Sequence, residues 1–342
     1  MRLFWVDAFA DKVGSGNPAA VVPLGTAPFP SDSVCQRIAF ENGLAETAFY
    51  RFTGIPGRYH LRWFTPEQEV DLCGHATLAA AFVVLRCDVL MPDFGGQEVI
   101  FDTASGPLVV RAPEALATTP LEGQGAPLAV LGAPNISPTA INFQEAGTAT
   151  AAADALIISN AIIAPCTIIT AGALATLELI FPSRPPTPMT PLAAPNALFE
   201  ALGLSRSDAL FIGKARDYII EVSTPEQVYA IKPDLVRLAA VDDALCVIVS
   251  AKTHLSGAAG PHVVSRVWCP GAAVPEDPVT GSAHCTVVPY FANEFGTTQA
   301  LVCRQASPRG GTLVCEMRNG GLVSIQGTAV LYMKGEIAVT NL

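Results

Sequence analysis

The strongest constraint on this chain is that it carries nearly the same passage twice. Leu61-Arg62-Trp63-Phe64-Thr65-Pro66 leads through the acidic Val70-Asp71-Leu72 to Cys73-Gly74-His75-Ala76-Thr77 and an apolar run ending at Leu85. Far downstream, Ser265-Arg266-Val267-Trp268-Cys269-Pro270 leads through Glu276-Asp277-Pro278 to Thr280-Gly281-Ser282-Ala283-His284 and an apolar run ending at Phe295. The two arginines lie 204 positions apart and the two glycines 207, so the spacing drifts by only three residues. Self-similarity on this scale predicts two like domains, each presenting a helix start to a shared cleft. The first peptide N–H groups of a helix lack partners and sit at the positive end of its dipole, which suits an anion such as a carboxylate. An acid beside such a site, here Asp277, points to proton transfer. Asp-Pro and Gly-Ser are also ordinary turn chemistry, so the repetition carries this reading rather than either string alone.

Composition fits two domains and narrows the partners. The 342 residues are long for one core. A formal net charge of −10 gives no basic footprint for nucleic acid and repels acidic membrane surfaces. The opening Leu3 to Val6 is too brief for a signal segment, and nine scattered cysteines predict reduced thiols in a cytoplasmic protein. Gly14-Ser15-Gly16 continues into neither a dinucleotide fingerprint nor a P-loop. Cys73-x-His75 and His284-Cys285 lack a metal-ligand spacing. No metal and no cofactor is expected.

In chain order, strands are predicted at Leu3–Ala8, Ala45–Tyr50, Leu61–Phe64, Val99–Asp102 and Leu108–Arg111. Ser31 should cap a helix from Asp32 to Glu41, and Gly74 to Leu85 should form the first central helix. The second domain reads as a strand at Leu177–Phe181, a helix at Asn196–Leu202 ended by Gly203, and strands at Ala209–Ile212 and Tyr218–Val222. A helix at Pro233–Ala240 and strands at Leu245–Ser250 and His262–Trp268 follow, then the helix after Gly281. Short strands at Ala300–Cys303, Gly311–Met317, Gly321–Gln326 and Ala329–Lys334 close the chain. Glu46, at the start of an apolar strand, is either a solvated strand end or a partly buried carboxyl able to shuttle a proton.

Between these halves, Ala112 to Ser183 holds no Lys or Arg, and Ala155 to Leu177 holds no charge. That segment has the length of a membrane span, but Asn160, Pro165 and Gly172 argue against one. The division is therefore 1–112, completed by 330–342; an atypical insertion at 113–172; and 173–329. The abrupt compositional change motivates reading the insertion as a retained intron or gene-join artefact, with a lid or an oligomer contact as the alternative. Finding its codons in the dominant spliced transcript would sink the artefact reading.

Taken together, the motifs resemble the phenazine-biosynthesis isomerase (PhzF-like) family of the diaminopimelate epimerase superfamily. They are Asp7-Ala8-Phe9 with Gly16-Asn17-Pro18-Ala19-Ala20, Glu46-Thr47, Arg62 to Pro66, Cys73 to Thr77, Glu276 to His284 and Gln305 to Gly311. The resemblance implies an α+β fold of two pseudo-symmetric domains, each a β-sheet rolled around a central helix, with the active site between them. It further implies a homodimer and cofactor-independent proton transfer on a small anionic metabolite. By motif match, Glu46 takes the place of the proton-shuttling carboxylate, with His75 and Asp277 as catalytic partners. Asn17, Gly74, Gly281, Ser282 and Arg309 are the expected substrate contacts. The epimerase branch uses a cysteine before each helix glycine; this chain has Cys73 but Thr280, which argues against a two-thiol racemase. A Cys73-dependent racemase with a non-thiol partner and a catalytically silent interaction protein remain the alternatives.

Overall fold

Runs of β-branched and aromatic residues separated by Gly-rich turns give the described residues more strand than helix. The structure, a computed structural model, describes residues 1–87, 97–112, 174–241, 245–253, 260–269 and 275–339. The first half comprises strands β1 (Arg2–Ala8), β2 (Asn17–Pro23), β3 (Glu46–Phe52), β4 (Arg58–Phe64), β5 (Glu69–Val70), β6 (Glu98–Thr103) and β7 (Gly106–Arg111). Helix α1 (Asp32–Asn42) lies between β2 and β3, and α2 (Gly74–Phe82) between β5 and β6. The second half comprises β8 (Leu174–Pro182), β9 (Thr187–Pro188), β10 (Ala209–Lys214), β11 (Tyr218–Val222), β12 (Val247–Lys252), β13 (Val263–Trp268), β14 (Leu301–Gln305), β15 (Gly311–Arg318) and β16 (Leu322–Glu336). Its helices are α3 (Asn196–Leu202), α4 (Pro225–Ala230), α5 (Leu235–Ala239) and α6 (Gly281–Phe295).

The halves repeat one pairing order. From β1 to β8 the successive pairs run antiparallel, parallel, antiparallel, parallel, antiparallel, antiparallel. From β10 to β16 the same order recurs. Long β16 joins them, pairing with β15 and β8 and then, from Ala329 to Glu336, with β1. That last pairing closes the first half's strands into a ring around α2, whose residues from Gly74 to Phe82 are all buried. In the second half the strand order ends at β9 instead. This is the expected α+β architecture, and the described residues on both sides of the 113–173 segment belong to one compact body. The predicted insertion itself lies outside the described residues. Among the described residues no helix is long and apolar enough to cross a membrane.

The sequence repeat has a physical cause. Arg62 on β4 makes a two-pronged bond to Glu69, with Nε and Nη2 each 2.7 Å from a carboxylate oxygen. Arg266 on β13 grips Glu276 in the same way, at 2.7 and 2.8 Å. Each fork pins the acidic loop that feeds a central helix. Arg62 and Glu69 are seven residues apart and Arg266 and Glu276 ten. Both glutamates precede their helix glycine by the same five positions. The three-residue drift therefore lies entirely between arginine and glutamate.

Local signals hold at several points. Ser31 accepts from the Val34 N–H at the start of α1, and Gly43 (φ 61°) and Gly203 (φ 67°) end α1 and α3 in the left-handed region. Two expectations need correction. The sequence predicts a break at Gly327-Thr328, but β16 runs through it without interruption. A Cβ at Gly327 would lie 2.2 Å from the Phe9 ring, and Phe9 itself holds φ 57°; this glycine provides clearance rather than a turn. The sequence reading places no helix between Tyr218–Val222 and Pro233, yet α4 forms there, with Thr224 and Gln227 in a capping box around Pro225 at its first position.

Candidate active site

The two central helices meet start to start. A Cβ on Gly74 would stand 3.5 Å from the Gly281 Cα, and one on Gly281 3.6 Å from the Gly74 Cα. Residues Cys73 and Thr280 occupy the cap positions in extended conformation, and neither side chain caps its helix. Their first-turn N–H groups are thus not consumed by a cap, unlike those of α1. Beside the junction opens a cleft of about 360 Å³, a size suited to a small metabolite. The first half lines it with Glu46, Cys73, Gly74 and His75; the second half contributes Asp277, Thr280, Gly281, Ser282 and Arg216.

Glu46 opens β3, where parallel pairing to β2 places it across from Ala19. His75 follows the helix glycine, and its Nε2 lies 3.0 Å from Glu46 Oε2. The two groups hold each other, and neither atom has a further hydrogen-bond partner among the described residues. A buried carboxylate–imidazole pair at the wall of a cleft is an arrangement suited to proton transfer. On its other side, His75 Nδ1 is 3.1 Å from Asn17 Nδ2. The Asn17 amide nitrogen also donates to the Val279 carbonyl (2.9 Å) and to Asp277 Oδ1 (2.7 Å). Because a peptide carbonyl can only accept, Val279 fixes which end of the amide is nitrogen. The two amide hydrogens go to Val279 and Asp277, so the donor available to Nδ1 of a neutral His75 is the Cys73 thiol, 3.6 Å away, and the ring proton then sits on Nε2, toward Glu46.

Electrostatics set these groups apart. Burial opposes a charged His75, but the adjoining Cys73 sulfur and Glu46 carboxylate outweigh it and raise the imidazole well above 6.5. Burial, assisted by Glu46, lifts Asp277 to about 6 despite the opposing pull of His75 and of hydrogen bonds from Thr280 and Asn17. Thr280 Oγ1 donates to Asp277 Oδ2 at 2.5 Å. Gln305 spans the same loop, accepting from Thr280 N (2.8 Å) and donating to Asp277 O (2.7 Å). Burial and Glu46 push the Cys73 thiol up to about 11, so it stays protonated at neutral pH. His284, pulled down to about 4 by burial, stays neutral, with Nδ1 2.8 Å from the Thr280 carbonyl.

The structure thus brings Glu46, His75, Asp277, Gly74, Gly281 and Ser282 around one cleft. Asn17 is fully buried behind it, bridging His75 and Asp277 rather than lining it. Arg309 does not line the cleft. Its Nη2 donates to Asp7 Oδ1 (2.8 Å) and the Ser15 carbonyl (3.1 Å), and its Nε to the Gly16 carbonyl (2.8 Å). It braces the loop that delivers Asn17, because the buried Asp7 carboxylate needs a counter-charge. The arginine at the cleft is Arg216, in the turn between β10 and β11, a position whose sequence offers no motif. The expectation of reduced thiols throughout is also corrected: Cys246 and Cys269 form a disulfide on the cleft wall. Their Cα atoms stand 4.1 Å apart where β12 and β13 run antiparallel, a proximity that a sequence separation of 23 conceals. Glu46, Cys73 and His75 place donor atoms within 4.8 Å of one another. However, Glu46 approaches Nε2 and Cys73 approaches Nδ1, so the ring sits between them rather than presenting one nitrogen with both to an ion.

Comparison with known proteins bears on the whole chain. The family model described as phenazine biosynthesis-like protein (PhzC-PhzF) matches residues 6–180 and 196–335. An uncharacterised isomerase of Pseudomonas aeruginosa is 35% identical over 339 residues, covering 98% of each chain. A solved PhzF-family structure from Enterococcus faecalis aligns with a TM-score of 0.72 and 32% identity over 98% of each chain. A probable proline racemase from Agrobacterium radiobacter aligns at a TM-score of 0.54 with 9% identity, covering 99% of this chain and 93% of its own, a likeness of fold alone.

Proposed function

The chain belongs to the phenazine biosynthesis-like (PhzC-PhzF) family and is an isomerase of that family, and we propose that it moves a proton on a small carboxylate-bearing metabolite without a cofactor. Glu46 is the acid–base group. Its carboxylate removes a proton from an activated carbon, and the resulting carboxylic acid returns that proton to a second position. The observation that carries this reading is the carboxylate–imidazole pair: Glu46 Oε2 and His75 Nε2 face each other at 3.0 Å at the cleft, and neither has a further hydrogen-bond partner among the described residues. His75 keeps a proton toward Glu46 in either of its charge states and steadies the carboxylate while it is anionic. Asp277, at about 6, exchanges protons near neutrality and completes the relay. The uncapped helix starts at Gly74 and Gly281 meet charge that develops on the substrate.

The Cys73 racemase reading fares worse. A thiol held at about 11 is a weak base at neutral pH, and the opposing Thr280 spends its proton on Asp277. The decisive experiment is deuterium wash-in from D₂O across a panel of small amino and hydroxy acids, dihydro-hydroxyanthranilate included, read by mass spectrometry. Wild type should incorporate label or shift an isomer. Glu46→Gln should lose this by roughly a thousandfold while unfolding at the wild-type temperature. A fully active Glu46→Gln ends the assignment, and a folded wild type inert across the panel favours the interaction-protein reading.

A further inference from the structure

Four carboxyl groups line the cleft (Glu46, Glu69, Asp71 and Asp277), which is an unwelcoming wall for an anionic substrate. Among the described residues that line it, Arg216 is the only Arg or Lys. We infer that Arg216, held in position by Asp217, is the side chain that recognises the substrate's carboxylate and so decides which metabolites enter. This rests on the proposed reading of the cleft as the catalytic site.

The support beneath Arg216 is built rather than incidental. Asp217 is 1% exposed, and its Oδ2 accepts from Arg216 Nη2 at 2.8 Å, with Nε a further 3.1 and 3.2 Å from the two oxygens. The same carboxylate accepts the backbone N–H of Cys246 at 3.1 Å, tying the arginine to the disulfide-linked wall. A planar guanidinium gripped along one edge loses most of its rotamer freedom before any ligand arrives. These bonds engage Nε and Nη2, and Arg216 keeps 29% of its side-chain surface exposed. Nη2 also donates to Ser282 Oγ at 3.1 Å. Ser282 Oγ is thereby an acceptor toward Arg216, and its own proton remains to be given to a ligand oxygen. Arg216, the Ser282 hydroxyl and the N–H groups at the start of α6 together match the several lone pairs of one carboxylate. A neutral carboxamide presents an NH₂ to the same donors and is rejected.

The test uses benzoate and its neutral isostere benzamide as probes of the full-length protein. Arginine side-chain N–H signals are followed by NMR, with Arg216→Lys identifying the Arg216 resonance. Saturable movement of that resonance with benzoate, at least tenfold tighter than with benzamide, is expected. Arg216→Gln alone would strand the buried Asp217, so Arg216→Gln/Asp217→Asn serves as the second variant. It should bind both probes equally weakly while keeping the wild-type unfolding temperature within a few degrees. A merely structural arginine would change the affinity of both probes alike. Failure of benzoate to move Arg216, or equal affinities for the two probes in wild type, overturns the inference. Glu46→Gln separates the two claims: benzoate discrimination that survives in it stands even if deuterium exchange proves independent of Glu46.

Discussion

The strand registers set Glu46 in the first half against Cys246 in the second. Thr47 pairs with Phe64 on β4 and Val247 with Trp268 on β13, each one position after the residue in question. Counting from the helix glycines, Cys73 likewise stands against Thr280 and His75 against Ser282. The backbones repeat and the chemistry does not. The first half supplies the Glu46–His75 pair, while the second supplies Asp277, hydroxyls, an arginine and a disulfide. A proton shuttle needs its acid–base group and the partner that steadies it within one hydrogen-bond length, which the first half provides, and the second half adds Asp277 to the relay. Holding the rest of the substrate is a separate task, and the duplicated helix start is free to take it.

The largest expected difference concerns the arginine forks. Arg266 and Glu276 are 12% and 17% exposed, and Arg266 also donates to the Ile231 carbonyl at 2.7 Å. Arg62 and Glu69 are 25% and 38% exposed. Arg266→Ala should therefore cost about 3 kcal/mol in urea unfolding and Arg62→Ala only about 1 kcal/mol. Equal losses would mean that the halves are energetically alike after all. Next, replacing Cys246 and Cys269 together by serine should cost about 3 kcal/mol through the freed loop, and no first-half cysteine substitution should respond to reductant in the same way.

A titration sharpens the contrast further. Asp277 keeps its proton up to about 6 in the folded state but loses it near 3.8 when unfolded. The native state then binds more protons than the unfolded one across this window, so stability falls as pH rises from about 4 to about 6. Asp277→Asn should remove up to about 3 kcal/mol of that decline, measured as the difference between variant and wild-type unfolding curves. A decline unchanged in the variant would place the titrating group elsewhere. The smallest effect is expected at Cys73→Ala, which should keep deuterium exchange within about tenfold, as should alkylation of the folded protein. A complete loss would revive the thiol reading.

Much of this architecture was legible in the chain itself. The Arg-to-helix repeat, the Ser31 cap, the Gly43 and Gly203 stops, and Gly74-His75 beside Gly281-Ser282 are local patterns, fixed by hydrogen bonds that span a few residues. Local patterns are what a sequence displays directly, so two like halves with facing helix starts followed from it. What only the tertiary structure decided are pairings across long separations. Arg309 went to Asp7, 302 residues away, instead of to the cleft. Arg216 reached Ser282 across 66 residues, and Cys246 found Cys269 because two strands happen to adjoin. Gly327 looked like a turn because nothing nearby in sequence reveals the Phe9 ring that lies over it. The physical reason is common to all four. A charged, thiol or glycine residue satisfies whichever partner the packed sheets bring within a few ångströms, and that partner is set by register and closure rather than by its neighbours in the chain.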